Sequence, residues 1–133
     1  MAKRSVKSMV EEAERVIEAV SPADVSTMID QDETVLVVDI RDIRELQREG
    51  KVPGAFHCPR GMLEFWIDPE SPYHKSEFAD PEKTYVFYCA SAWRSALATK
   101  TAREMGLSNA KHIAGGFTAW RDEGLPVERL DRR

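Results

Sequence analysis

The chain has 133 residues, 42% of them hydrophobic and 32% charged, and a formal net charge of −4. That length buries the core of one domain without disulfides, and the composition excludes a disordered chain. The acidic balance, with no basic cluster beyond the few Lys and Arg at the N-terminus, argues against nucleic acid as the main partner.

Val6, Met9, Val10, Ala13, Val16, Ile17 and Val20 recur at helical spacing, which predicts an amphipathic helix over about 5–17. This segment, 1–17, reads as an extension ahead of a main domain over 18–128; it covers the core or forms a dimer contact. Glu11, Glu12, Glu14 and Arg15 break any apolar leader after Met1. The longest aliphatic run, Val35 to Val38, is far short of a membrane span. A cytoplasmic protein with no membrane partner is expected.

Ser21-Pro22-Ala23-Asp24 is a helix start, with Ser21 as N-cap, Pro22 in first position and Asp24 in the acidic first turn. Val25, Met28 and Ile29 face inward, and Gln31-Asp32-Glu33 ends the helix. Thr34 to Asp39 is an apolar run typical of a strand buried on both faces, and the charged Asp39 at its end needs hydrogen-bond partners. Arg41, Arg44, Glu45 and Arg48 are expected on the solvated face of a short helix ending at Gly50.

Ala55 to Cys58 reads as a short strand, and Arg60 to Trp66 as a short helix. Arg60 is either an exposed charge or a second cation facing the substrate. Asp68 to Lys75 is turn-rich, and Trp66, Tyr73 and Phe78 are candidates for a pocket rim. Thr84 to Tyr88 is a strand ending at Cys89. After a short loop, Arg94 to Met105 reads as a helix stopped by Gly106, with Leu97, Ala98, Thr101, Ala102 and Met105 on its packing face. Asn109 to Ala114 is a last short strand, and Phe117 to Glu123 a helix with Phe117 and Trp120 on one face. Residues 129–133 read as a frayed tail. Short strands alternating with helices imply an α/β fold with a mostly parallel sheet flanked by helices.

Cys89 then sits at the carboxyl end of a strand, where such sheets bind ligands. Loop N–H groups and a helix dipole can converge on its sulfur there, a setting that favours a nucleophilic thiolate. Arg94 adds a positive charge nearby. The competing reading is an inert core cysteine. The small residues Ala90-Ser91-Ala92 and the helix that follows favour a site, since a core cysteine requires neither. Cys58 is a resolving thiol or, the favoured reading, a small buried hydrophobe. His57, His74 and His112 show no partner pattern, and the cysteines match no zinc spacing, so neither a metal nor a cofactor is expected.

The run Cys89-Ala90-Ser91-Ala92-Trp93-Arg94-Ser95 resembles the active-site loop of the rhodanese (sulfurtransferase) family. Val38-Asp39-Ile40-Arg41, Gly50 to Ala55, Gly115 to Trp120 and Gly124-Leu125-Pro126 are similar to further family pieces in the same order, so the likeness runs from about Val20 to Pro126. It implies a rhodanese-like three-layer domain, with a short strand just before Ser21. It also implies transfer of a sulfane sulfur from thiosulfate or a persulfide to a thiol or cyanide through a Cys89 persulfide. The loop N–H groups from Ala90 to Ser95, the Arg94 charge and the Ser95 hydroxyl would stabilise the anion, with Asp39 as structural support; a partner protein is a further candidate donor or acceptor. Phosphatases of similar fold need one more residue between Cys and Arg, and here Ser95 stands where that Arg would fall.

Two residues depart from the common family pattern. Ala90 stands where thiosulfate users often carry Arg or Lys, and Ala92 where Gly is frequent. The first change predicts that thiosulfate is a poor donor. The second matters if the backbone there needs positive φ. Non-catalytic modules of the family, which bind or sense, usually lose the Cys; its retention favours an enzyme.

Overall fold

The computed structural model describes residues 3–130. Helix α1 (Val6–Glu14) is followed by strand β1 (Ala19–Val20), α2 (Pro22–Gln31), β2 (Val35–Asp39), α3 (Ile43–Glu49) and β3 (Phe56–His57). Then come α4 (Leu63–Ile67), β4 (Thr84–Tyr88), α5 (Trp93–Glu104), β5 (Ala110–Ile113) and α6 (Gly116–Asp122). The five strands pair in parallel throughout, in the order β1-β5-β4-β2-β3.

Strand β4 lies at the centre, and its alternation divides the core in two. Tyr85 and Phe87 point to one face, against Leu63, Ile67, Ala98 and Ala102 of α4 and α5. Val86 and Tyr88 point to the other, against Val25 of α2 and Phe117 and Trp120 of α6. Helices thus cover both faces of the sheet, which makes the three layers. Caps follow the sequence: Ser21 Oγ accepts from Asp24 N–H at 3.1 Å, and Asp42 with Glu45 forms a reciprocal capping box on α3.

The structure corrects three expectations. Helix α5 is buried on two sides: Val10 and Ala13 of α1 pack on its Ala96, and its buried residues also include Ser95, which meets His112 of β5, and Thr99. Phe78, expected at a rim, is core, with its ring 5.7 Å from that of Tyr85. Arg41, expected on a solvated face, is fully buried ahead of α3. A guanidinium survives there because carboxylates and carbonyls take up its hydrogens.

Of the tail expected to fray, Arg129 donates to the Arg48 carbonyl at 3.2 Å, and residues 131–133 lie outside the described residues. Among the described residues, no helix is long and apolar enough to cross a membrane.

Candidate active site

Cys89 follows the last residue of β4, at the carboxyl end of the sheet, and is 1% exposed. The chain turns back through Ala90 and Ser91 to Ala92, which adopts the left-handed conformation (φ +88°, ψ −6°). Among the described residues Ala92 alone does so without being glycine. The turn aims its N–H at Cys89 Sγ, at 3.1 Å, and starts α5 at Trp93, whose third residue, Ser95, brings a second N–H within 3.3 Å. The sulfur therefore caps the positive end of a 12-residue helix.

Helix α6 anchors the opposite side of the loop. Phe117 N–H donates to the Cys89 carbonyl at 2.8 Å, and Thr118 N–H to the Ala90 carbonyl at 3.1 Å. That approach needs Gly116: a Cβ there would sit 2.6 Å from both carbonyl oxygens. The first two carbonyls of the loop are thus tied to α6, while two of its N–H groups face the sulfur.

Asp39 lies beside Tyr88 in the β2–β4 register and is fully buried. Its Oδ1 accepts from Arg41 N–H at 2.9 Å, and its Oδ2 from Arg41 Nη2 at 2.8 Å and from the Tyr88 hydroxyl at 2.5 Å. Arg41 also donates to Glu49 and the Gly50 carbonyl, and its guanidinium lies 4.4 Å from the Phe117 ring centroid. Burial, then the Asp39 charge, pushes the Tyr88 phenol far up, so it stays a hydrogen-bond donor. Every oxygen of this carboxylate is engaged, which suits bracing β2 against β4 and not proton transfer.

Arg94 donates both Nη groups to Glu45 of α3, at 2.9 and 3.0 Å, and this bond is the main reason the Glu45 carboxyl sits below its ordinary range. The guanidinium thus clamps the start of α5 to α3, and its charge is matched. Arg60 is matched too, by Glu64 at 2.9 Å. Trp93 is 48% exposed and Ser91 is exposed, so the outer wall of the loop is open to solvent. Cys58 is fully buried, and desolvation pushes its thiol up to about 12, the behaviour of a core hydrophobe.

Sequence reasoning missed His112. It lies on β5 opposite Phe87 and therefore on the α5 side of the sheet, 2% exposed. Its Nδ1 is 2.9 Å from Ser95 Oγ, which is 3.6 Å from Cys89 Sγ. Burial pushes its pKa down to about 4, so the imidazole is neutral near neutral pH. The available signal was two-residue alternation, since Ala110 and His112 are buried and Lys111 is not. Nothing local revealed that β5 neighbours β4.

The family model for the rhodanese-like domain matches residues 21–123. YtwF of Bacillus subtilis, a sulfurtransferase by provisional name, is 34% identical over 110 residues, 83% of this chain and 96% of that one. A Wolinella succinogenes polysulfide-sulfur transferase, solved as a homodimer, is 36% identical with a TM-score of 0.75, over 95% of this chain and 87% of that one. A Rhodopseudomonas palustris protein of unknown function, described as a possible tyrosine phosphatase, is 53% identical with a TM-score of 0.91, over 96% and 97% of the two chains. With the model covering most of its length, this chain belongs to the rhodanese-like domain family.

Proposed function

We propose that the protein is a sulfurtransferase in which Cys89 carries a sulfane sulfur from a donor to a thiol acceptor. The observation that supports this reading best is the convergence of the Ala92 and Ser95 N–H groups on Cys89 Sγ at the start of α5. Fixed donors and a helix dipole favour negative charge on that sulfur and on a second sulfur bonded to it. In the first step the Cys89 thiolate attacks the outer sulfur of a donor R–S–S⁻. A bond from Sγ to that sulfur forms as RS⁻ leaves. In the second, an acceptor thiolate attacks the outer sulfur, the bond to Sγ breaks, and the Cys89 thiolate returns. Cyanide serves as acceptor in an assay. The two free cysteines fit a reducing, cytoplasmic setting.

The surroundings favour a donor of low charge. Ala90 brings no cation, Arg94 is matched by Glu45 and Arg60 by Glu64, so a dianion such as thiosulfate gains little from them. A polysulfide or persulfide end suits the site better, in agreement with what the Wolinella relative is named for. The description of the Rhodopseudomonas neighbour raises phosphatase chemistry. The spacing argues against it: Arg94 is one residue too close to Cys89 for a phosphate-sized loop, and its guanidinium is already bidentate on Glu45.

Intact mass after brief incubation with thiosulfate, and separately with a small persulfide, tests the reading. The persulfide should add the mass of one sulfur atom to wild type, removable by cyanide, and add nothing to Cys89→Ser. Thiosulfate should add far less, and an aryl phosphate should not be hydrolysed. No gain from either donor on folded, reduced protein would leave a binding module as the better account.

A further inference from the structure

The hydroxyl of Ser95 has three neighbours, and together they assign a direction to each hydrogen bond. Its oxygen lies 2.9 Å from His112 Nδ1, 3.3 Å from the Ala92 carbonyl oxygen and 3.6 Å from Cys89 Sγ. A serine hydroxyl has one hydrogen to give and two lone pairs that accept. The carbonyl can only accept, so if all three contacts are hydrogen bonds it takes the hydrogen. Nδ1 and the thiol must then both donate. An imidazole protonated on Nδ1 satisfies all three contacts; the other tautomer sets Nδ1 and the carbonyl in competition for one hydrogen.

We propose that His112 is a positioning residue for Cys89 and acts through Ser95. Its Nδ1–H holds the Ser95 oxygen from behind and leaves the hydroxyl hydrogen free to turn from the Ala92 carbonyl to the sulfur when Cys89 ionises. In that event the S–H bond breaks, its proton passes to solvent, and the electron pair stays on Sγ. The sulfur then has a third donor beside the N–H groups of Ala92 and Ser95. The Ala92 carbonyl keeps the helical bond from Ala96 N–H at 3.0 Å, so releasing the hydroxyl leaves no buried acceptor unpaired. A hydrogen bond to an anion is stronger than one to a carbonyl, which gives the rotation its direction. The inference rests on the reading of Cys89 as the sulfur-carrying thiol.

The imidazole is suited to this task and not to storing the proton, because its burial keeps it neutral. The charges on the loop and the adjoining strands are held in pairs: Arg94 with Glu45 of α3, Asp39 with Arg41 beside β4, and Lys111 with Glu18 ahead of β1. Of the other buried titratable groups in the core, Tyr88 is pushed far up by burial and Cys58 up to about 12, so neither titrates near neutrality. Thr99, the other buried hydroxyl of α5, donates to the Ser95 carbonyl at 2.7 Å and does not compete for the imidazole.

The test is alkylation of Cys89 by iodoacetamide against pH, on the full chain, with Cys58 separated by peptide mass. His112→Phe and Ser95→Ala should each raise the midpoint by about one unit, a tenfold loss of thiolate at a given pH. The double variant should move no further, because one residue acts through the other. His112→Asn, whose amide N–H₂ replaces the Nδ1–H, should restore the wild-type midpoint. Unchanged midpoints in the single variants overturn the proposal. So do additive shifts in the double variant, or a His112→Asn that behaves like His112→Phe. Should His112→Phe fail to fold, Ser95→Ala and His112→Asn decide the matter. Alkylation needs no sulfur donor, so its outcome is separate from whether Cys89 takes up sulfur.

Discussion

A β-carbon at φ +88° crowds the neighbouring carbonyl, and Ala92 carries one at the turn that aims an N–H at Cys89. Glycine would relieve that strain of about 1–2 kcal/mol while adding about 0.4–1 kcal/mol of freedom to the unfolded chain. Ala92→Gly is therefore expected to stabilise the fold by about 0.5 kcal/mol in urea denaturation, with the turn unchanged. A loss of stability would mean that the methyl group contributes packing worth more than the strain. The departure at this residue was legible in the sequence, but the sign of φ that gives it meaning was not. Arg41 was misplaced for a related reason. Nothing in a string of Arg and Glu tells which guanidinium is enclosed, and here Asp39, Glu49 and the Gly50 carbonyl enclose one.

Two helices serve the sulfur by opposite ends of the peptide group. Helix α5 turns N–H groups toward Sγ, and the first N–H groups of α6 hold the Cys89 and Ala90 carbonyls away from it. The second arrangement depends on Gly116, which is left-handed (φ +65°) as well as crowded. Gly116→Ala should cost more than about 1–2 kcal/mol, since crowding adds to the conformational cost. It should also lower persulfide loading of Cys89 in what folds. Full loading with only the stability loss would show that α6 supports the fold and not the loop. The helices themselves, the Ser21 cap and the Gly115-Gly116 pair were readable from local chemistry. The second packing face of α5 was not, because it exists only where α1 rides on Ala96.

At the scale of the molecule, His112 links the site to stability. Its pKa is held down to about 4 by burial, against about 6.5 for a free imidazole. Between those values the unfolded chain binds a proton that the folded chain refuses, so stability rises with pH across this window and falls on acidification, by an order of 3 kcal/mol. Glu45, held low by Arg94, acts in the same direction: its contribution is present above the ordinary Glu range and is lost as pH falls through its folded value. Denaturation midpoints taken from pH 6.5 down to 4 should show this slope in wild type and a flatter one in His112→Asn; equal slopes would remove His112 from the account. The parallel α/β class was readable because short strand-like runs alternate with helical patterns, whereas strand order was not, since local pattern says nothing of which strands adjoin. That order also governs when the site comes into being. The Tyr88–Asp39 and Arg94–Glu45 contacts each join residues 49 apart, and Ser95 meets His112 across 17. No short stretch of the chain contains the site, and parallel pairing forms late because long loops must close first. A nascent or unfolded chain thus carries Cys89 without its anchors, and the sulfur transfer proposed for it would wait until the whole sheet has assembled.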